Sequence, residues 1–136
     1  MTKRLPLAKD WQARNINDWN TTTFHAYMVD KHAELFGCDY VPMKNWITEK
    51  GLLGRLIGTS GKNAKPRTAS NEMVKEFIDE CFASYTPTAE YPGTSFGFSW
   101  AYRKNVWQRL QIEEQRKQAA SKAEETTDWE DLADWL

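Results

Sequence analysis

Asn71-Glu-Met-Val-Lys-Glu-Phe-Ile-Asp-Glu-Cys-Phe-Ala-Ser84 is the stretch on which the fold turns. Val74, Phe77, Ile78, Cys81, Phe82 and, just beyond it, Tyr85 recur at i, i+3, i+4, i+7, i+8 and i+11, which is the spacing of one face of an α-helix. Ser70 stands where a hydroxyl can accept an early N–H group, and Thr86-Pro87 stops the helix. The opposite face carries Glu72, Glu76, Asp79 and Glu80. One continuous apolar face needs other elements to cover it.

Upstream, Phe24, Tyr27, Met28, Leu35 and Phe36 predict a helix from about Thr22 to Phe36, with Gly37 as its C-cap. The next segment holds Trp46, Ile47, Leu52, Leu53, Leu56 and Ile57 at helical spacing but is interrupted by Gly51, Gly54 and Gly58. Each interior glycine costs about 1 kcal/mol relative to Ala, so two short helices are expected. Downstream, Tyr91-Pro92-Gly93 makes a turn, and Thr94 or Ser95 caps a last helix through Phe96, Trp100, Val106, Trp107 and Leu110. Glu113 to Glu125 is helix-forming but almost without apolar residues, a solvated extension or linker. With no convincing strand and no repeat, the expected fold class is all-α, a small domain of four to five helices. Its parts are an N-terminal arm (1–20) anchored by Trp11 and Trp19, a helical core (21–112), the extension (113–126) and a C-terminal tail (127–136).

A chain of 136 residues is one domain, long enough for a core without staples. No apolar run approaches the roughly 20 residues of a membrane span, and the start lacks a signal peptide, so a cytoplasmic protein is expected. Cys38 and Cys81 read as reduced thiols. Charge is unevenly spread: residues 1–122 hold all 18 Lys and Arg against 13 acids, whereas residues 123–136 hold six acids and no base. That division suggests nucleic acid for the body and a protein partner for the tail.

Catalytic and metal motifs fail on spacing. Gly58-Thr-Ser-Gly61-Lys62-Asn63 has Leu56 where a phosphate loop needs Gly, Asn63 where it needs Ser or Thr, and no strand before it. His25 and His32 lie seven apart, whereas a zinc pair on a helix needs a spacing of three or four; they read as partly exposed histidines. No catalytic residues, cofactor, metal or enzymatic activity are expected. The basic segment is more informative. Arg55, Lys62, Lys65 and Arg67 occur without an intervening acid in a loop rich in Gly, Thr and Ser, suited to phosphate contact. Because carboxylates line the outer face of 71–84, nucleic acid is expected at this loop and at Arg103, Lys104 and Arg109 of the last helix, not at a recognition helix.

In the tail, Thr127-Asp-Trp-Glu130 has the form of a capping box, and Trp129, Leu132, Ala133 and Leu136 share one helical face with Trp135 beside them. So short a helix is unstable alone, which makes Trp129, Leu132, Trp135 and Leu136 the expected anchors on a protein partner. Asp134-Trp135-Leu136 after Leu132 is similar to the acidic, apolar ends of tailed-phage replication and late-transcription proteins, among them co-activators, sigma-like factors and polymerases, although this tail has Trp where Phe is usual and Ala133 within the motif. The resemblance covers about nine residues and implies docking on a sliding clamp or similar protein. The body segments Phe77-Ile-Asp-Glu-Cys-Phe82 and Tyr91-Pro-Gly-Thr-Ser-Phe96-Gly-Phe98 also resemble small phage accessory domains. The expected function is a non-enzymatic adaptor in phage-type DNA replication or late transcription, its body on nucleic acid, a polymerase or a helicase. The alternatives are a small inhibitor of a host enzyme, or a compact helical protein whose tail packs on its own core.

Overall fold

Four helix starts are set by one device, a short polar side chain that accepts an N–H from the first turn. Asn20 accepts from Thr23 at 3.0 Å, Asn45 from Thr48 at 2.9 Å, Ser70 from Met73 at 3.1 Å and Ser95 from Phe98 at 3.1 Å. The computed structural model describes residues 5–60, 62 and 64–135, with backbone alone from 123 onward. After a 3-10 turn (Ile16–Asp18) come α1 (Thr21–Phe36), α2 (Trp46–Ile57), α3 (Asn71–Ser84), α4 (Phe96–Tyr102) and α5 (Lys104–Trp135). No strand occurs among the described residues, so the domain is all-α. No described helix is long and apolar enough to cross a membrane.

The centre is α3, which touches the arm's 3-10 turn and every other helix. Val74, Phe77, Ile78, Cys81 and Phe82 are all buried, as their spacing requires. Phe77 meets Phe96, Trp100 and Trp107 edge to face, a favoured geometry for aromatic rings. On the other side Trp19 packs against Phe24 and Tyr27, and Trp11 against Trp19 and Tyr27. The arm is thereby pinned to α1, with Trp11 Nε1 donating to Asp30 at 2.7 Å.

Three boundaries differ from those the sequence predicts. The segment 46–57 is one helix, because Leu53, Leu56 and Ile57 are all buried, each worth about 1.5–3 kcal/mol, against about 1 kcal/mol for each interior glycine. Gly54 also has a packing use: a Cβ there would sit 3.0 Å from Thr59 Cγ2. Conversely, the last helix is broken at Arg103. Trp100 and Trp107 stand 6.0 and 5.5 Å from Phe77, ring centre to ring centre. They also stand only 5.2 Å from each other, ring centre to ring centre, whereas seven residues of unbroken helix would set their backbones about 10 Å apart along the axis; the break brings the two rings together on Phe77. Finally, α5 does not stop near Ile112 but runs on without a break into the extension; the side chains of the tail's Thr127–Glu130 capping box lie outside the described residues.

His32 and Glu49 are among the polar side chains buried in this apolar setting, where an unpaired group is costly. His32, expected to be partly exposed, is 2% exposed. Its Nδ1 lies 3.0 Å from the Cys38 carbonyl and its Nε2 accepts the Thr94 N–H at 3.1 Å, an arrangement for the neutral ring with its proton on Nδ1. Gly93 makes room for this ring; any Cβ would collide with it. Glu49 is fully buried and accepts the Tyr40 hydroxyl, the Met43 N–H at 2.9 Å and the Gly97 N–H at 2.8 Å. The Tyr40 hydroxyl accepts in turn from Phe96 N–H at 2.8 Å. Burial, reinforced by the Glu49 carboxylate, pushes the Tyr40 phenol well above its ordinary range.

Replacing Glu49 by Ala leaves these donors unanswered in the core and is expected to cost about 3–5 kcal/mol; Glu49→Gln, which keeps an acceptor for the two N–H groups, retains more than half of that. Urea denaturation checks both, and equal losses would contradict the assignment. His25 is stacked on Trp46 at 3.9 Å, and burial lowers its pKa below the ordinary 6.5 against a smaller opposing pull from Glu49. The unfolded chain therefore takes up the proton first as pH falls, and stability drops below about pH 6.5. Thermal melts between pH 7.5 and 5.5 should show a flatter profile for His25→Gln than for the wild type.

Candidate nucleic-acid interface

The 58–70 loop is held to the domain at several points. Gly58 adopts φ 82°, where a Cβ would approach the Arg67 backbone to 3.0 Å, so glycine alone turns the chain there without strain. The Thr59 N–H donates to the Lys65 carbonyl at 3.0 Å, and the Thr68 and Ala69 N–H groups to the Leu56 carbonyl at 2.9 and 2.8 Å. Between this strap, α2 and the start of α1 lies an open cleft of about 660 Å³.

Three bases line it, Lys50, Lys65 and Arg67, and no carboxylate does. The hydroxyls of Thr21, Thr22, Thr59 and Ser60 complete its polar surface. Thr59 Oγ1 accepts the Lys65 N–H at 3.0 Å, which leaves its own proton to donate. At the start of α1, Asn20 and Thr23 satisfy each other in a capping box, and the two N–H groups between them, of Thr21 and Thr22, lie beyond the reach of intrahelical bonding.

Arg67 is positioned by a buried amide. The Asn71 Nδ2 group donates to the carbonyls of Ile16 at 2.7 Å and Trp19 at 2.9 Å, while its Oδ1 accepts Arg67 NH1 at 2.7 Å. The same NH1 reaches the Ala69 carbonyl at 3.2 Å. One asparagine thus joins the arm, α3 and the cleft. A smaller hollow lined by Asn17, Arg67, Ser70 and Asn71 adjoins on the far side of the arginine.

The predicted bases separate in space. Lys65 and Arg67 enter the cleft; Arg55 and Lys62 are exposed outside its lining. Arg103 donates to Ser84 Oγ at 3.2 Å and Lys104 lies 4.9 Å from the Trp100 ring centre, both at the α4–α5 junction. Arg109 pairs with Glu80 of α3 and with Glu113 at 3.0 Å, and those carboxylates raise its pKa. Of the carboxylates on the outer face of α3, Asp79 accepts from the Tyr27 hydroxyl and from Lys75. Lys50, Thr21 and Thr22 were not read from the sequence as site residues, because nothing in their local spacing places them beside residues 58–67. The side chains of Trp129, Leu132, Trp135 and Leu136 lie outside the described residues. Among the described residues, no group of three or more His, Cys, Asp or Glu could hold a metal ion. Cys81 is buried, which raises its thiol pKa, and Cys38 is partly buried.

The chain is thus an all-α domain with a cationic cleft. No family model, curated protein or solved structure matches it.

If Arg109 is committed to its two carboxylates, Arg109→Ala should change affinity for a nucleic-acid probe by less than about twofold, whereas Lys65→Glu should weaken it by about tenfold. Side-by-side anisotropy titrations at one salt concentration distinguish them.

Proposed function

We propose that this protein is a non-enzymatic adaptor whose body binds nucleic-acid phosphates through the α1–α2 cleft and whose acidic, apolar C-terminal segment docks on a protein partner. The observation that carries the reading is the cleft's lining of three bases without one carboxylate. The excess of bases over acids in residues 1–122 supports it, since such a field draws in polyanions. The likeness of Leu132 and Asp134-Trp135-Leu136 to phage clamp-binding ends supports a place in phage-type DNA replication or late transcription, with a sliding clamp or similar protein as the tail's partner. Joining the two contacts in one chain raises the effective concentration of each partner near the other.

Fluorescence anisotropy with a labelled single-stranded oligonucleotide tests the body's role. With up to three phosphates engaged, log Kd against log salt should have a slope of about 2, and the triple variant Lys50→Gln, Lys65→Gln, Arg67→Lys should weaken binding at least about tenfold. An absence of binding at low salt by the wild-type protein would overturn the reading. Deleting residues 123–136 should abolish capture of the protein partner while changing oligonucleotide affinity by less than about twofold; a partner retained in full would remove the tail from the proposal.

A further inference from the structure

We infer that the cleft is a seat for a phosphomonoester dianion, the terminal phosphate of a 5′-phosphorylated strand, and not merely a stretch of basic surface. This rests on the reading of the cleft as the phosphate-binding site. Charge is the first reason. Lys50, Lys65 and Arg67 face one hollow with no carboxylate in its lining, and none of the three forms an ion pair among the described residues. An internal phosphodiester carries one negative charge, whereas a monoester carries about 1.5 to 2 at pH 7. The second reason is the kind of polar group present. Three cations and the hydroxyls of Thr21, Thr22, Thr59 and Ser60 offer an abundance of donors to one ligand, which suits the three acceptor oxygens of a monoester.

Preorganisation is the third reason. Asn71, 2% exposed and bonded to two arm carbonyls, fixes Arg67 through NH1 and leaves the rest of the guanidinium fork for a ligand. The same strap is held at the backbone by the hydrogen bond from Thr59 N–H to the Lys65 carbonyl, which lowers the cost of ordering this wall on binding. Shape is the fourth. A concavity of about 660 Å³ has the size of a small-ligand pocket and can take one nucleotide unit. A duplex presents its phosphates along a convex ridge instead.

The experiment uses full-length protein and one labelled single-stranded 8-mer, prepared with a 5′-phosphate or a 5′-hydroxyl, with inorganic phosphate and a nucleoside monophosphate as competitors. At pH 7.5 the 5′-phosphate should tighten binding by about five- to tenfold. This preference should fall below about twofold at pH 5.5, where the monoester is largely a monoanion, and in Arg67→Lys, which loses the fork. Lys65→Gln, at an exposed position, gives a second loss of preference without disturbing the core. Equal binding of the two 8-mers, weakened alike by Lys50→Gln and Lys65→Gln, would overturn the dianion seat while leaving nucleic-acid binding in place. Binding of the monophosphate, competed by inorganic phosphate and lost in Lys65→Gln, without binding of either 8-mer would support the seat and overturn the nucleic-acid reading. No binding of any probe overturns both.

Discussion

A carboxylate removed from water must find donors at every lone pair it exposes, and Glu49 of α2 finds them in two other segments, so that three are joined. Tyr40 and Met43 belong to the connection between α1 and α2, and Gly97 to the first turn of α4. The penalty for leaving the carboxylate unmet is large, so the three segments are held to one relative arrangement. Gly97 is part of the requirement, because a Cβ there would lie 2.7 Å from Met43 Cβ and 3.0 Å from the carboxylate itself. His32 repeats the logic nearby, joining the Cys38 carbonyl to the Thr94 N–H. Apolar packing around α3 supplies the drive to fold, and these directed bonds choose which packing is reached.

The cleft depends on a related device at the other end of α1. Asn71 opens α3 and answers two carbonyls of the arm, so the arm's course and the position of Arg67 are decided together. Lys50 follows Glu49 in sequence yet lines the cleft while its neighbour is buried. The residues that stabilise the domain thus also aim the bases. Substitutions at Asn71 or Glu49 would therefore disturb the proposed ligand site indirectly, whereas the exposed Lys65 reports on it with little structural consequence.

Much of the fold was legible. The apolar spacing of Val74 to Tyr85, the caps at Ser70 and Ser95, and Gly37 after α1 are local signals, and local signals survive without knowledge of the tertiary structure. The errors fell where a distant contact outweighed local preference. Glycines argued for two helices in 46–57, but the buried face of Leu53, Leu56 and Ile57 kept one. No residue near Arg103 announces a break; it goes with the close packing of Trp100 and Trp107 on each other and on Phe77. His32 looked like its neighbour His25 in sequence, and only the loop carrying Thr94 closes over it.

By itself the sequence determined the all-α class, most helix limits, the anchoring of the arm by Trp11 and Trp19 and the opposed charges of body and tail, because each follows from side-chain type and spacing along one segment. Tertiary structure alone decided which bases share a site. Arg55, Lys62, Lys65, Arg67, Arg103, Lys104 and Arg109 are equivalent as charges on a string. Folding sends Arg109 to Glu80 and Glu113, leaves Arg103 and Lys104 at a helix junction, and brings Lys65 and Arg67 to Lys50. The physical reason is that charges have no positional code of their own, and they are carried to wherever the buried residues beside them must go.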